Sequence, residues 1–93
     1  MTLVSVIIRT FQRPQRLWSA LESVAMQTYP AIEIVVVNNG GIAVEDVVER
    51  YKQTFSQPIQ LITLTEPVQL GAARNRGVAA AHGELIALLV LQL

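Results

Sequence analysis

The 93-residue chain contains no cysteine and a single histidine. This excludes disulfides, thiolate nucleophiles and thiolate metal sites, and one imidazole cannot build a histidine-rich metal centre. The absence of cysteine fits a reducing compartment, so a cytoplasmic location is expected. An excess of one charge sign is also missing, because seven Lys and Arg balance seven Asp and Glu. Nothing in that balance favours non-specific nucleic-acid binding or attachment to an anionic membrane, and any anion site has to be local. Long hydrophobic runs are absent too. The longest, Leu85 to Leu91, falls well short of the roughly 18 residues that cross a bilayer. Residues Leu3 to Ile8 are apolar but lack a basic stretch before them and a small-residue cleavage site after them, so no signal peptide is expected and the mature chain is expected to start at Met1. There is no repeat and no low-complexity tract.

The composition itself is 52% hydrophobic and 15% charged, with a mean hydropathy of +0.42. That is the signature of a chain with a core to bury rather than of disorder, and the length allows one domain. Leu3 to Ile8 is short, apolar and rich in β-branched residues, as expected of a strand covered on both faces. From Pro14, apolar residues recur at Leu17, Leu21, Val24 and Ala25 beside Trp18, which predicts a helix that Pro30 cannot let continue. Ile32 to Val37 repeats the buried-strand pattern and stops at Asn38-Asn39-Gly40-Gly41, residues suited to a turn.

Val44, Val47, Val48, Tyr51 and Phe55 form one stripe at helical spacing, with Glu45, Asp46, Glu49, Arg50, Lys52 and Gln53 opposite. A third strand is predicted from Ile59 to Leu64, an Ala-rich helix from Leu70 to His82 stopped by Gly83, and a fourth buried strand from Leu85 to Leu89. The order βαβαβαβ with continuous apolar strands predicts an α/β fold: a four-stranded, mainly parallel, Rossmann-like sheet of order 3-2-1-4 with helices on both faces. A ligand would then sit at the carboxyl ends of strands one and four, where the order reverses.

The usual phosphate-binding motifs of such sheets are missing. Arg9-Thr-Phe-Gln-Arg13 has no glycine after strand one, which argues against a dinucleotide fingerprint, and no Gly-Lys-Ser/Thr triplet exists to form a P-loop. The same segment has no acidic residue, which argues against a phosphoacceptor domain. Gly71-Ala-Ala-Arg-Asn-Arg-Gly77 has two glycines, but it lies in a helical segment without the motif lysine.

Four blocks in order carry a more specific signal. They are Val4-Ser-Val-Ile-Ile-Arg-Thr-Phe-Gln-Arg13; Ala20-Leu-Glu-Ser-Val24 with Gln27-Thr-Tyr-Pro30; Glu33-Ile-Val-Val-Val-Asn-Asn-Gly40; and Leu70-Gly-Ala-Ala-Arg-Asn-Arg-Gly77 with Gly83-Glu-Leu-Ile-Ala87. Together they resemble the start of a family 2 glycosyltransferase, over nearly the whole chain. The resemblance implies the N-terminal half of a GT-A fold, with residues 1–93 as a single nucleotide-sugar-binding domain. It also implies transfer of a sugar from a nucleotide-diphospho-sugar, a UDP-sugar foremost, to an acceptor. The full-length family member is expected to use a divalent metal, Mn or Mg, on an Asp-x-Asp motif, and a carboxylate base further along.

Carried over position by position, the resemblance implies a nucleotide-sugar site of Thr10, Phe11, Arg13, Asn39 and Arg74. Phe11 would stack on the base, Asn39 would accept a hydrogen bond from it in place of an aspartate, and Arg74 would face the diphosphate, with Arg13 within reach of a phosphate or a carboxylate. Three of them also have a plain structural reading: Phe11 as a cap on the core, Asn39, like Asn38, as a turn former, and Arg74 as a solvated helix arginine; His82 is expected to be a helix-end residue with no functional role. Arg9 stands where the family usually has proline, beside the base site.

The chain departs from the family at Leu88-Leu-Val-Leu-Gln-Leu93, where the metal carboxylates would fall. Hydrocarbon side chains cannot replace them, so neither a metal ligand nor a catalytic residue is assigned. A fragment cut before the motif is the expectation, with a natural degenerate protein as the alternative. The competing function is a non-catalytic α/β scaffold that assembles, as a homo-oligomer or with a partner, through its apolar C-terminal edge.

Overall fold

The computed structural model describes residues 1–90, so the Leu91-Gln92-Leu93 tail lies outside the described residues. The elements are β1 (Val4–Thr10), α1 (Pro14–Ala25), β2 (Ile32–Asn38), α2 (Glu45–Thr54), β3 (Ile59–Thr63), α3 (Leu70–Ala80) and β4 (Leu85–Val90). The strands form one sheet in the order β3-β2-β1-β4, and every pair is parallel. The predicted architecture is the one observed.

Strand alternation divides the core into two layers. Val6, Ile8, Ile34 and Val36 point to one face, where Leu17, Leu21 and Val24 of α1 and Tyr51 of α2 cover them. Ile7, Val35 and Val37 point to the other, against Ala73 of α3. Each fully buried aliphatic side chain contributes on the order of 1.5–3 kcal/mol. α1 starts at Pro14, whose missing N–H costs nothing at the first helical position, and buries Leu17, Ala20, Leu21 and Val24 along one stripe. In α2, Glu45 and Asp46 in the first turn and Lys52 in the last complement the helix dipole.

α3 sits closest to the sheet. A Cβ on Gly77 would lie 2.5 Å from Ile7 Cγ2 and 3.0 Å from Val37 Cγ2, so the glycine sets the approach of helix to strands. This brings the start of α3 down onto the carboxyl ends of β1 and β2.

α1 ends at Ala25, the last residue of its apolar stripe and short of Pro30, with the Met26 N–H donating to the Glu22 carbonyl. Two expectations are corrected. α3 ends at Ala80 rather than His82, because the backbone turns extended at Ala81 and the His82 N–H leaves the helix to bond Glu33. β4 has the apolar pattern of a buried strand but is not covered: it occupies the sheet edge, as the order 3-2-1-4 and an exposed apolar C-terminal edge imply, and Leu85, Ile86 and Leu88 remain 58%, 41% and 51% exposed because α3 packs over β1 and β2.

Candidate functional site

At the carboxyl edge of the sheet the loops after β1, β2 and β3 are tied together. The Asn39 N–H donates to the Thr10 carbonyl at 2.9 Å, and the Leu64 N–H donates to the Asn38 carbonyl at 2.9 Å, extending both ladders past the strands. Gly40 and Gly41 then turn the chain with φ of +88° and +81°, a region open to glycine. Neither has room for a side chain: a Cβ on Gly41 would lie 2.5 Å from Gln12 Cγ, and one on Gly40 would lie 3.0 Å from Pro67 Cγ. The first glycine therefore seats the loop after β3, and the second seats the loop after β1. Gln12 itself adopts a φ of 55°, a left-handed conformation that costs a non-glycine residue energy.

Asn39 is the central tie. Its amide nitrogen donates to the Val68 carbonyl at 2.9 Å and its amide oxygen accepts from the Val68 N–H at 2.9 Å, so both ends of the side chain hold the loop that leads into α3. A base contact would use the second lone pair of that oxygen. Aspartate here keeps the acceptor but opposes the Val68 carbonyl with a buried charge. Asn39→Asp is expected to lower stability by about 2 kcal/mol at neutral pH, less in acid where the carboxyl regains a proton, as urea unfolding at the two pH values would read.

Thr10 and Asn38 are partners across β1 and β2 and both are buried. The Asn38 amide nitrogen donates to the Ile42 carbonyl at 3.0 Å, while Thr10 Oγ1 and Asn38 Oδ1 have no partner among the described residues. Phe11 belongs to neither core cluster and is 41% exposed, with its Cε1 atom beside Gly41, so it does not cap the core. Thr10, Phe11 and Asn39 thus come together at one rim. Arg13 and Arg74 are exposed and are not placed in contact with those three. Arg13 donates to the Gln12 carbonyl at 3.5 Å and Arg74 to Asn75 Oδ1 at 3.5 Å.

Two features escaped sequence reasoning. Arg9 Nη1 donates to the carbonyl of Leu70, the first residue of α3, at 3.0 Å. At the opposite, amino end of the sheet, Glu33 lies 7% exposed and accepts from Ser5 Oγ at 2.5 Å, the His82 N–H at 2.5 Å and His82 Nδ1 at 3.0 Å. Gly83 N–H donates in turn to Ser5 Oγ at 2.8 Å. Burial alone pushes the Glu33 carboxyl up, but the Ser5 hydroxyl and the His82 N–H and ring together hold it below its ordinary value. The carboxylate lies between Ser5 and His82, so the imidazole is not placed to take the serine proton, and the cluster is a clamp rather than a nucleophile. An isolated glutamate inside an apolar strand pattern was its one visible signal.

A metal does not fit the described residues. The end of β4 offers Leu88 and Leu89, and no group of three His, Cys, Asp or Glu side chains among the described residues is arranged to hold an ion.

The model of Glycosyl transferase family 2 matches residues 5–89. The chain belongs to this family. Among its glycosyltransferase relatives, the uncharacterized glycosyltransferase YwdF of Bacillus subtilis is 38% identical over 85 residues, covering 91% of this chain and 31% of the relative. The glycosyltransferase AglE of Haloferax volcanii is 31% identical over 88 residues, covering 92% and 29%. The chain therefore spans about a quarter to a third of the length of its family 2 relatives.

Solved glycosyltransferase structures share the fold. The mannosyltransferase PcManGT from Pyrobaculum calidifontis, in complex with GDP-Man and Mn2+, superposes with a TM-score of 0.84 at 26% identity, covering 91% of this chain and 26% of that one. Staphylococcus aureus TarS 1-349 gives 0.80 at 25% identity, covering 95% and 27%. The sheet is thus the N-terminal, Rossmann-like portion of a GT-A glycosyltransferase fold.

Proposed function

We propose that the carboxyl edge of this sheet binds the nucleotide-diphospho-sugar donor of a family 2 glycosyltransferase, and that transfer to the acceptor belongs to a longer protein of which this chain is the donor-binding part. The observation that carries the reading is the exposed Phe11 ring at Gly41, on a rim built by the tied loops after β1, β2 and β3. In that reading Phe11 stacks on the base, Thr10 and Asn39 line its polar edge, and Arg13 and Arg74 approach the diphosphate. A divalent metal, Mn or Mg, would be held by carboxylates beyond those of this chain. The resemblance favours a UDP-sugar, while similarity to a protein bound to GDP-Man favours a guanine nucleotide, so both belong in the test.

Calorimetric titration with UDP- and GDP-sugars, with and without Mn2+, is expected to give saturable binding. Stacking of a base on an aromatic ring is worth about 1–3 kcal/mol, so Phe11→Ala should weaken binding roughly 5-fold to 150-fold, and Arg74→Ala should weaken nucleotide but not nucleoside. No binding at millimolar nucleotide would reject the reading. It would leave the second one, assembly through β4, which the exposed Leu85, Ile86 and Leu88 favour and which light scattering would report as a dimer or larger species.

A further inference from the structure

We propose that Arg9 is a diphosphate-binding residue of this same site and lets the chain hold a nucleotide without a divalent cation. The inference rests on the donor-binding reading above. Arg9 is the penultimate residue of β1, flanked by Val37 of β2 on one side and Val90 of β4 on the other. It therefore stands where the strand order reverses, the place where open α/β sheets take their ligands. By strand alternation it shares the face of Ile7, which is the α3 face, and its guanidinium is pinned there by the Leu70 carbonyl at 3.0 Å.

That one bond uses one of five guanidinium N–H groups and leaves the rest for a ligand. The residue is half-buried, so its charge is partly withdrawn from water and gains from a counter-charge. None is supplied: among the described residues no carboxylate lies within ion-pair distance of Arg9, and the first turn of α3 contains no acidic residue. Arg74 follows Leu70 by one helical turn, exposed and with its guanidinium donating to Asn75 Oδ1 at 3.5 Å, so a second arginine stands in the same first turns of α3. Two fixed-charge forks on one side of the switch point suit a diphosphate, whose oxygens accept paired N–H donors. Among the described residues no group of three His, Cys, Asp or Glu side chains is arranged to hold an ion, so within them the charge of a bound diphosphate is met by these arginines.

The test is titration of the 93-residue chain, in EDTA, with UDP, inorganic pyrophosphate and uridine, the weak ligands being followed by NMR. Wild-type protein is expected to bind UDP with no loss on metal removal, and to bind it less tightly as salt is raised. Arg9→Met, which keeps the aliphatic stem, should weaken UDP and pyrophosphate about tenfold or more, flatten the salt dependence and leave uridine unchanged. Arg9→Lys, which keeps the charge but not the fork, should fall between them and serves if the methionine variant folds poorly. An equal loss for uridine and UDP would make Arg9 only a tether for α3 and overturn the proposal. Wild-type binding of UDP with no change in either variant would overturn it alone, whereas no nucleotide binding by the wild type would overturn it together with the donor-binding reading.

Discussion

Gly83→Ala is expected to remove about 3 kcal/mol of folding stability, the upper part of the range for forcing a methyl group into a packed site. A Cβ at this position would lie 2.5 Å from Ser5 Oγ and 2.8 Å from both the Leu3 carbonyl oxygen and the Ser5 nitrogen. Two of these three atoms are backbone of β1 and its lead-in, so no rotamer change relieves the clash. The same stretch supplies the bonds that start β4 on the sheet: Glu84 N–H donates to the Leu3 carbonyl at 3.0 Å and Gly83 N–H to Ser5 Oγ at 2.8 Å. The strand would have to lift from its neighbour. Urea unfolding should show a lower midpoint at nearly unchanged slope, and an unshifted midpoint would contradict the packing described.

The second large effect concerns Glu33. Removing the charge in Glu33→Gln leaves Ser5 Oγ and two His82 donors facing a group that accepts with one atom instead of two, and about 2 kcal/mol should be lost at neutral pH. The pH dependence follows from the direction of the shift. The folded carboxyl is held below its ordinary value, so as pH falls the unfolded chain takes up the proton first. The stabilisation is complete above the ordinary glutamate range and is lost as pH drops through the folded value. Wild type and Glu33→Gln should therefore differ most at neutral pH and converge in acid. A constant gap between the two curves would mean that the carboxylate is not the stabilising species.

The consequence for the site is indirect but physical. Glu33, Ser5 and the His82-Gly83 turn fasten the end of α3 and the start of β4 to the amino edge of the sheet, while Gly77, Asn39 and Arg9 fasten α3 along its length and at its start. The helix that carries Arg74 is thus held at both ends.

What could be read in advance followed the chemistry of each segment. Continuous β-branched runs such as Ile32 to Val37 have few alternatives to a strand buried on both faces, and the stripe Val44, Val48, Tyr51 has few alternatives to a helix lying on it. The topology followed from their alternation. Element ends were less legible, because they depend on partners distant in sequence. α3 stops at Ala80 because Glu33, 49 residues before His82, draws that residue's N–H away. The exposure of β4 was legible from its place at the end of the strand order, whereas its apolar run alone reads as a buried strand.

At the site, the motif around Thr10, Phe11 and Asn39 was visible because residues adjacent to strand ends inherit the strands' positions. The double bond from Asn39 to Val68 and the grip of Arg9 on Leu70 were not, since each joins residues far apart in the chain. By sequence Asn39 suits a turn or a ligand contact, and in the structure it holds the approach to α3.

The most direct test of the account is a chemical-shift titration of the labelled chain with a UDP- or GDP-sugar. The account predicts saturable shifts concentrated at residues 9–13, 38–41 and 67–74, with Phe11 among the largest. Shifts that cluster on β4 instead, or none at millimolar ligand, would contradict it.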